Sequence, residues 1–218
     1  MNDLVLAITG ASGAVYASRL LQVLCGEPRV IHLVLSQAAT EVIRVELNTQ
    51  LDLHDLDSDL LRTADPGFPM PPLPSTDAEA TIVTHHINDL TAPIASGSFR
   101  TAGMVICPCS MGTLAAIAGG NSGNLIHRAA DVHLKERRRL VLVPRETPLG
   151  SIGIENMRSV ATAGAVILPA SPGFYHQPKT IADLVDFVVG RICDQLGVEV
   201  ELTRRWGHPD APPDTTVS

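Results

Sequence analysis

The sequence predicts an α/β fold in which a mostly parallel sheet is covered by helices. Short apolar runs alternate along the chain with longer segments of helical period. Hydrophobic residues make up 45% of the 218 positions while aromatics contribute only 3%, so the core is one of Ala, Val, Ile and Leu that suits strands buried on both faces. The clearest such run, Leu140-Val-Leu-Val143, leads directly into Pro144-Arg-Glu-Thr-Pro148. A charged pair at the exit of a buried strand is costly unless something uses it. Open α/β sheets bind ligands just outside the carboxyl ends of their strands.

Leu4–Ile8 reads as the first buried strand, Thr9-Gly-Ala-Ser-Gly13 as a tight loop, and Ala14–Leu24 as a helix with Val15, Leu20, Leu21 and Leu24 in helical register. Val30–Leu35 is a second strand ending at Ser36, and residues 38–47 a second helix carrying Glu41 and Glu46. From Thr49 to about Ser98 the periodicity weakens. Asp55, Asp57 and Asp59 alternate there, and the proline-rich run from Pro66 to Pro74 excludes regular helix or central strand. This region is expected to be a surface excursion with one short strand near residues 81–84, followed by the loop Ala92-Pro-Ile-Ala-Ser-Gly-Ser98. Further on come a strand at 104–107, a helix over Met111–Ala118, a glycine-rich turn at 119–123, a helix over 125–136 and the strand at 140–143. A helix over 156–163, a strand at 165–168, a Pro/Gly-rich loop to Pro178 and the amphipathic helix Ile181–Leu196 complete the order. Such alternation implies right-handed βαβ units. One domain over residues 1–207 is expected, with 208–218 as a mobile tail containing Pro209, Pro212 and Pro213. There is no internal repeat.

Sixteen basic against 23 acidic residues give a net charge of −7, which argues against nucleic-acid binding. The single basic cluster, Lys135-Glu-Arg-Arg-Arg139, reads as a solvated helix end. The four cysteines lack the spacing of a disulfide framework. No signal peptide and no apolar run of membrane-spanning length is apparent, so a soluble cytoplasmic protein is expected.

Gly10-Ala-Ser-Gly13 joins a strand to a helix, where backbone N–H groups suit an anion or a flavin edge. Position 15 is Val, so the full dinucleotide fingerprint is missing, and a ligand-free turn fits this loop equally well. Ser110-Met-Gly-Thr-Leu114 has the same placement after another strand. Cys107-Pro-Cys109 is not a Cys-x-x-Cys pair, His127 and His133 fall on different helix faces, and His85-His86 has no partner of ligand type nearby, so no metal is expected. The charged candidates are Glu46, Arg128, Lys135, Arg145, Glu146 and Arg191, with Tyr175; for Arg128 and Lys135 a surface charge or ion pair is the default. Ser36, Glu146 and Tyr175 follow strands and converge on one sheet edge, where carboxylates suit proton transfer and Arg, Lys and Tyr donors suit a phosphate.

Taken together, Gly10-Ala-Ser-Gly13, Ala95-Ser-Gly-Ser98, Cys107-Pro-Cys-Ser110, Arg128-Ala-Ala-Asp131, Leu134-Lys-Glu-Arg137, Val143-Pro-Arg-Glu-Thr147 and Pro172-Gly-Phe-Tyr-His-Gln-Pro178 resemble the flavin prenyltransferases, the UbiX family. The resemblance runs from the first strand to Trp206, apart from about residues 49 to 80. It implies a flavodoxin-like Rossmann three-layer sandwich, assembled as a dodecamer with sites shared between subunits. It also implies metal-independent transfer of a dimethylallyl group from dimethylallyl monophosphate to N5 and then C6 of reduced FMN. The product, prenylated FMN, is the cofactor of UbiD-type decarboxylases. Carried over by position, Gly10, Ala11, Ser12, Gly13, Ser36, Ser110, Met111, Gly112, Thr113, Leu114 and Arg145 would contact FMN. Ser96, Arg128, Lys135, Arg145, Glu146, Tyr175 and Arg191 would hold the prenyl donor, and Ser12, Glu46 and Glu146 would manage protons. Leu90 stands where some members carry a tryptophan, and Met111 where a threonine can occur. Two other functions are weighed against this one. An FMN-dependent cysteine-type decarboxylase of the same fold would need a His after the first helix and a Pro-x-Met-Asn motif, neither of which is in place. A non-catalytic flavin-binding subunit would tolerate loss of Glu46, Lys135, Glu146, Tyr175 and Arg191, yet all five are present.

Overall fold

The computed structural model describes residues 3–73 and 80–204. Six strands, β1 (Leu4–Ile8), β2 (Val30–Leu35), β3 (Thr81–His85), β4 (Gly103–Cys109), β5 (Arg139–Pro144) and β6 (Val166–Ile167), form one sheet in the order β3-β2-β1-β4-β5-β6. Every pairing is parallel, with Val5 opposite both His32 and Met104, so the sheet has no antiparallel edge strand. The described residues also contain seven α-helices, of which the first six lie between strands and the last follows β6: α1 (Ala14–Leu24), α2 (Gln37–Glu46), α3 (Ser58–Arg62), α4 (Met111–Ala118), α5 (Leu125–Lys135), α6 (Ser151–Thr162) and α7 (Ile181–Leu196).

Side-chain alternation along β1 divides the interior in two. Leu4, Leu6 and Ile8 point into one core with Leu20 and Leu21 of α1, Ile43 of α2, and Val188, Val189 and Ile192 of α7. Val5 and Ala7 point into the other, against Leu114 and Ile117 of α4, Leu125, Ile126 and Ala129 of α5, and Val160 of α6. Burial of each Leu, Ile or Val contributes roughly 1.5–3 kcal/mol, and this drives the three-layer arrangement. One buried ion pair crosses the first core. Arg19 Nε of α1 donates to Asp186 Oδ1 of α7 at 2.7 Å, and Nη2 donates to Oδ2 at 3.0 Å.

The structure corrects several expectations. Residues 49–73 are not only a surface excursion: Asp57 caps α3 by accepting the Asp59 N–H, and Leu51, Leu61 and Ala64 are buried in the first core. Isolated apolar residues without a period leave no legible pattern, but here they seat a chain segment against α1, where Ser18 Oγ donates to Leu61 O at 2.9 Å. Strand β4 continues past Cys107 through Pro108 to Cys109, with its register against β5 shifting between Ile106 and Cys109; proline lacks the ladder N–H and obscures this continuation. Helix α6 starts at Ser151 rather than 156, because its first turn exposes Ile152 and Ile154 and so has no amphipathic signal. The expected tail at 208–218 lies outside the described residues.

His133 is a buried residue of α5 itself. Its Nδ1 bonds the Ala129 carbonyl at 2.7 Å, so this nitrogen carries the proton and Nε2 accepts from Thr101 Oγ1 at 2.8 Å. Burial, aided by Arg138, pulls the imidazole pKa down to about 4 despite the bond to Ala129.

Two stability measurements follow from these buried groups. Asp186→Ala strands the Arg19 charge and should cost about 3–5 kcal/mol in denaturant unfolding; a loss below about 1 kcal/mol would contradict the buried pair. Between pH 6.5 and about 4 the unfolded chain protonates His133 while the folded chain does not, so stability should fall as pH falls, by up to about 3 kcal/mol. His133→Asn should flatten that part of the stability–pH curve, and an unchanged slope would exclude His133 as its source.

Candidate active site at the carboxyl edge of the sheet

The strand order reverses between β1 and β4, which opens a crevice at their carboxyl ends. Thr9 ties this crevice together. Its Oγ1 donates to Pro108 O at 2.9 Å and accepts the Ser110 N–H at 2.7 Å, while the Ser36 N–H donates to Ile8 O at 3.0 Å. The exits of β1, β2 and β4 are thereby held in fixed relation.

Gly13 turns the chain into α1 with φ of 113°, a left-handed conformation that disfavours a side chain. No side chain of the loop caps α1. Instead Glu46, at the last position of α2, accepts the N–H of Gly13 at 2.9 Å and of Ala14 at 2.8 Å through Oε2, with Oε1 3.2 Å from Gly13 N. The anion site at this helix N-terminus is thus filled by the chain's own carboxylate. Helices α2 and α4 begin differently. Ser36 Oγ accepts the Ala39 N–H at 3.2 Å, and Ser110 Oγ accepts the Thr113 N–H at 3.2 Å while donating to Thr113 Oγ1 at 3.0 Å. A single hydroxyl covers one N–H, so other first-turn donors of both helices remain for a ligand anion. The residues here therefore fit the phosphate-bearing end of a flavin mononucleotide. Within α4, Leu114 is buried, Met111 and Thr113 are half-buried and Gly112 is exposed.

From β5, Arg145 crosses to the first loop, where its Nε donates to Ser12 O at 3.3 Å. Ser12 and Glu146 are both exposed, and Glu146 Oε1 accepts the Thr147 N–H at 3.0 Å. The segment after β6 is anchored to the same edge by the Ala170 N–H donating to Pro144 O at 3.0 Å. Further along that segment Tyr175 is 51% exposed, its ring edge-on to Phe187 of α7. Arg191 Nη1 donates to Asp194 Oδ2 at 2.6 Å and lines a groove of about 280 Å³ between β6 and α7, together with Ser171 and Phe187.

Ser96, Arg128 and Lys135 are not brought to this edge in the same way. Arg128 Nε donates to Ala95 O at 3.0 Å and its Nη1 to Asp131 at 2.8 Å, while Ser96 Oγ lies 2.9 Å from Ser98 Oγ. Lys135 is exposed at the end of α5, which feeds into the amino end of β5 at Arg139, whereas Glu146 follows its carboxyl end. Six strand residues span about 20 Å, so Lys135 and Glu146 stand at opposite ends of β5 within one protomer. Leu90 is 50% exposed. Cys107 and Cys109 are fully buried, with burial pushing the Cys109 thiol up to about 12 and the Cys107 thiol higher, which removes thiolate chemistry at neutral pH.

Thr9 and Phe187 were not legible as site residues. A threonine opening a tight loop reads as a turn residue and a phenylalanine on an amphipathic helix as core, and only long-range contacts distinguish them.

The family described as Flavoprotein matches residues 1–193. A flavin prenyltransferase UbiX of Halalkalibacterium halodurans is 51% identical over 92% of this chain and 91% of its own length. Among solved structures, AnUbiX (PadA1) in complex with FMN and dimethylallyl pyrophosphate superposes with a TM-score of 0.79 at 41% identity, covering 95% of this chain and 98% of that one. A dodecameric FMN-dependent UbiX-like decarboxylase from Escherichia coli O157:H7 matches with a TM-score of 0.79 at 40% identity, covering 94% of this chain and 100% of that one. The all-parallel flavodoxin-like sheet, the crevice between β1 and β4 and these near full-length similarities converge on one assignment: the chain belongs to the Flavoprotein family and to the UbiX flavin prenyltransferases.

Proposed function

We propose that this protein transfers a dimethylallyl group from dimethylallyl monophosphate to N5 and C6 of reduced FMN, making prenylated FMN for a UbiD-type decarboxylase. The observation that carries this reading is the meeting of Glu46 and Arg145 on the loop that holds Ser12, with Glu146 next in the chain after Arg145, in a protein half identical to a flavin prenyltransferase. Reduced FMN, when bound, supplies the nucleophilic ring atoms. The chain's own groups do the rest. The first turns of α2 and α4, with Ser36, Ser110 and Thr113, would hold the flavin phosphate, and Gly10, Ala11, Ser12 and Gly13 would contact the rest of the flavin.

Arg145, Tyr175 and Arg191 hold the donor phosphate, where their hydrogen-bond donors strengthen as charge grows on the departing oxygen. Glu146, just beyond the strand that delivers Arg145, supplies the proton that this oxygen takes up. Glu46 keeps the first loop in place through Gly13 and Ala14, and with Ser12 carries protons to and from the flavin edge. An allylic carbocation needs a water-poor pocket, yet Ser12, Glu146 and Tyr175 are exposed in a single protomer. Neighbouring copies are therefore part of the proposal, in a homo-oligomer up to the dodecamer named for the E. coli relative. Ser96, Arg128 and Lys135 of an adjacent protomer would complete the phosphate cradle, since within one copy Lys135 stands at the opposite end of β5 from Glu146. Exposed Leu149, Ile152 and Ile154, beside the exit of β5, are the kind of apolar surface such a contact covers.

The reaction is tested directly by incubating the protein with reduced FMN and dimethylallyl monophosphate under anaerobic conditions and measuring the flavin's mass. The flavin should gain one isoprenyl unit; an unmodified flavin would reject the assignment. Glu146→Gln should keep FMN bound but slow single-turnover prenylation by about 10²–10⁴-fold, the usual weight of a positioned acid, and unchanged kinetics would remove Glu146 from proton transfer.

A further inference from the structure

The segment between β6 and α7 contains no regular element, yet it must present the Tyr175 phenol at a fixed place if that group is to meet a phosphate. On such a segment the place of a half-exposed ring is set by its side-chain contacts rather than by backbone regularity. Phe187 meets this need. The Tyr175 ring stands edge-on to Phe187, with centroids 5.6 Å apart and planes at 77°. His176 lies flat on Phe187 at 5.2 Å and 8°, and its own edge contact with Tyr175 closes a three-ring cluster at 5.9 Å and 78°. Gly173 is wedged beneath: a Cβ there would come within 3.0 Å of Phe187 Cζ and 3.1 Å of Tyr175 Cε1. Neither ring nitrogen of His176 has a hydrogen-bond partner although both are inaccessible, so the imidazole serves here as a flat surface. Phe187 lies one helical turn before Arg191, and both line the groove between β6 and α7.

We infer that Phe187, with His176 stacked on it, is a positioning residue that fixes Tyr175 in register with Arg191, so that a single α7 face sets the spacing of two donors to the prenyl phosphate. This rests on the reading of Tyr175 as a phosphate donor given above. Each aromatic pair contributes about 0.5–1.5 kcal/mol, and loss of this platform is expected in donor binding rather than in the chemical step.

The chain contains two tyrosines, Tyr16 and Tyr175, so protein labelled with 3-fluorotyrosine gives two ¹⁹F resonances, assigned with Tyr175→Phe. Phe187→Leu keeps apolar volume but removes the flat ring. It should move the Tyr175 resonance toward that of free 3-fluorotyrosine, leave Tyr16 in place, and raise KM for dimethylallyl monophosphate about 3–10-fold with kcat and FMN affinity little changed. His176→Phe, which keeps the platform, should stay near wild type in both readouts, whereas His176→Ala should move both. A Tyr175 resonance that stays in place in Phe187→Leu, or a displaced resonance with unchanged KM, overturns the inference. Wild-type KM in Tyr175→Phe overturns instead the donor role of Tyr175, and that result is distinguishable because it does not depend on where Phe187 holds the ring.

Discussion

Strands β1 and β4 are buried on both faces along their whole length, as β5 is after Arg139, and the rest of the molecule follows from that burial. Such strands admit little but aliphatic side chains, so polar groups can emerge only where the strands end. Because every pairing is parallel, the carboxyl ends all emerge at the same edge. Thr9 is the point where the change occurs. It is buried just past the end of β1, and it spends its hydroxyl on Pro108 and Ser110, so that the β1 and β4 exits become one rigid platform.

Helix ends then sort the chemistry on that platform. Three helices start there, at Gly13, Ser36 and Ser110, and each concentrates partial positive charge. The first is occupied by the Glu46 carboxylate, while the other two carry only a serine hydroxyl. An incoming anion is therefore directed away from α1 and toward α2 and α4. In a chain of net charge −7, the proposed anion site draws on backbone dipoles and Arg145 rather than on overall charge.

Much of the fold was legible in the sequence because the determinants of its elements are local. The strands Leu4–Ile8 and Val30–Leu35 and the helices Ala14–Leu24, Met111–Ala118 and Ile181–Leu196 begin and end where their apolar period does. Helix α7 even carries its own start signal, a capping box between Thr180 and Asp183. Elements without a period were not legible. Helix α3 is a single short stretch whose buried residue is Leu61, and the first turn of α6 exposes its isoleucines. Of the candidate site, the loops at Gly10-Ala-Ser-Gly13 and Ser110 could be placed by rule, since each follows a buried strand. The separation of Lys135 from Glu146 was already implied by the strand expected at 140–143 between them, although the resemblance set both on one donor phosphate.

By itself the sequence determined the alternation of buried strands and amphipathic helices, the edge where ligand chemistry belongs, and the Arg and Glu delivered there by β5. Tertiary structure decided which groups meet. Glu46 reaches Gly13 from 33 positions away, Ser110 meets Thr9 across 101, and Arg145 meets Ser12 across 133. The physical reason is one of range. Period and caps act within a few residues and are written in local order, whereas a hydrogen bond between loops depends on strand order and crossover geometry, which exist only once both cores have formed.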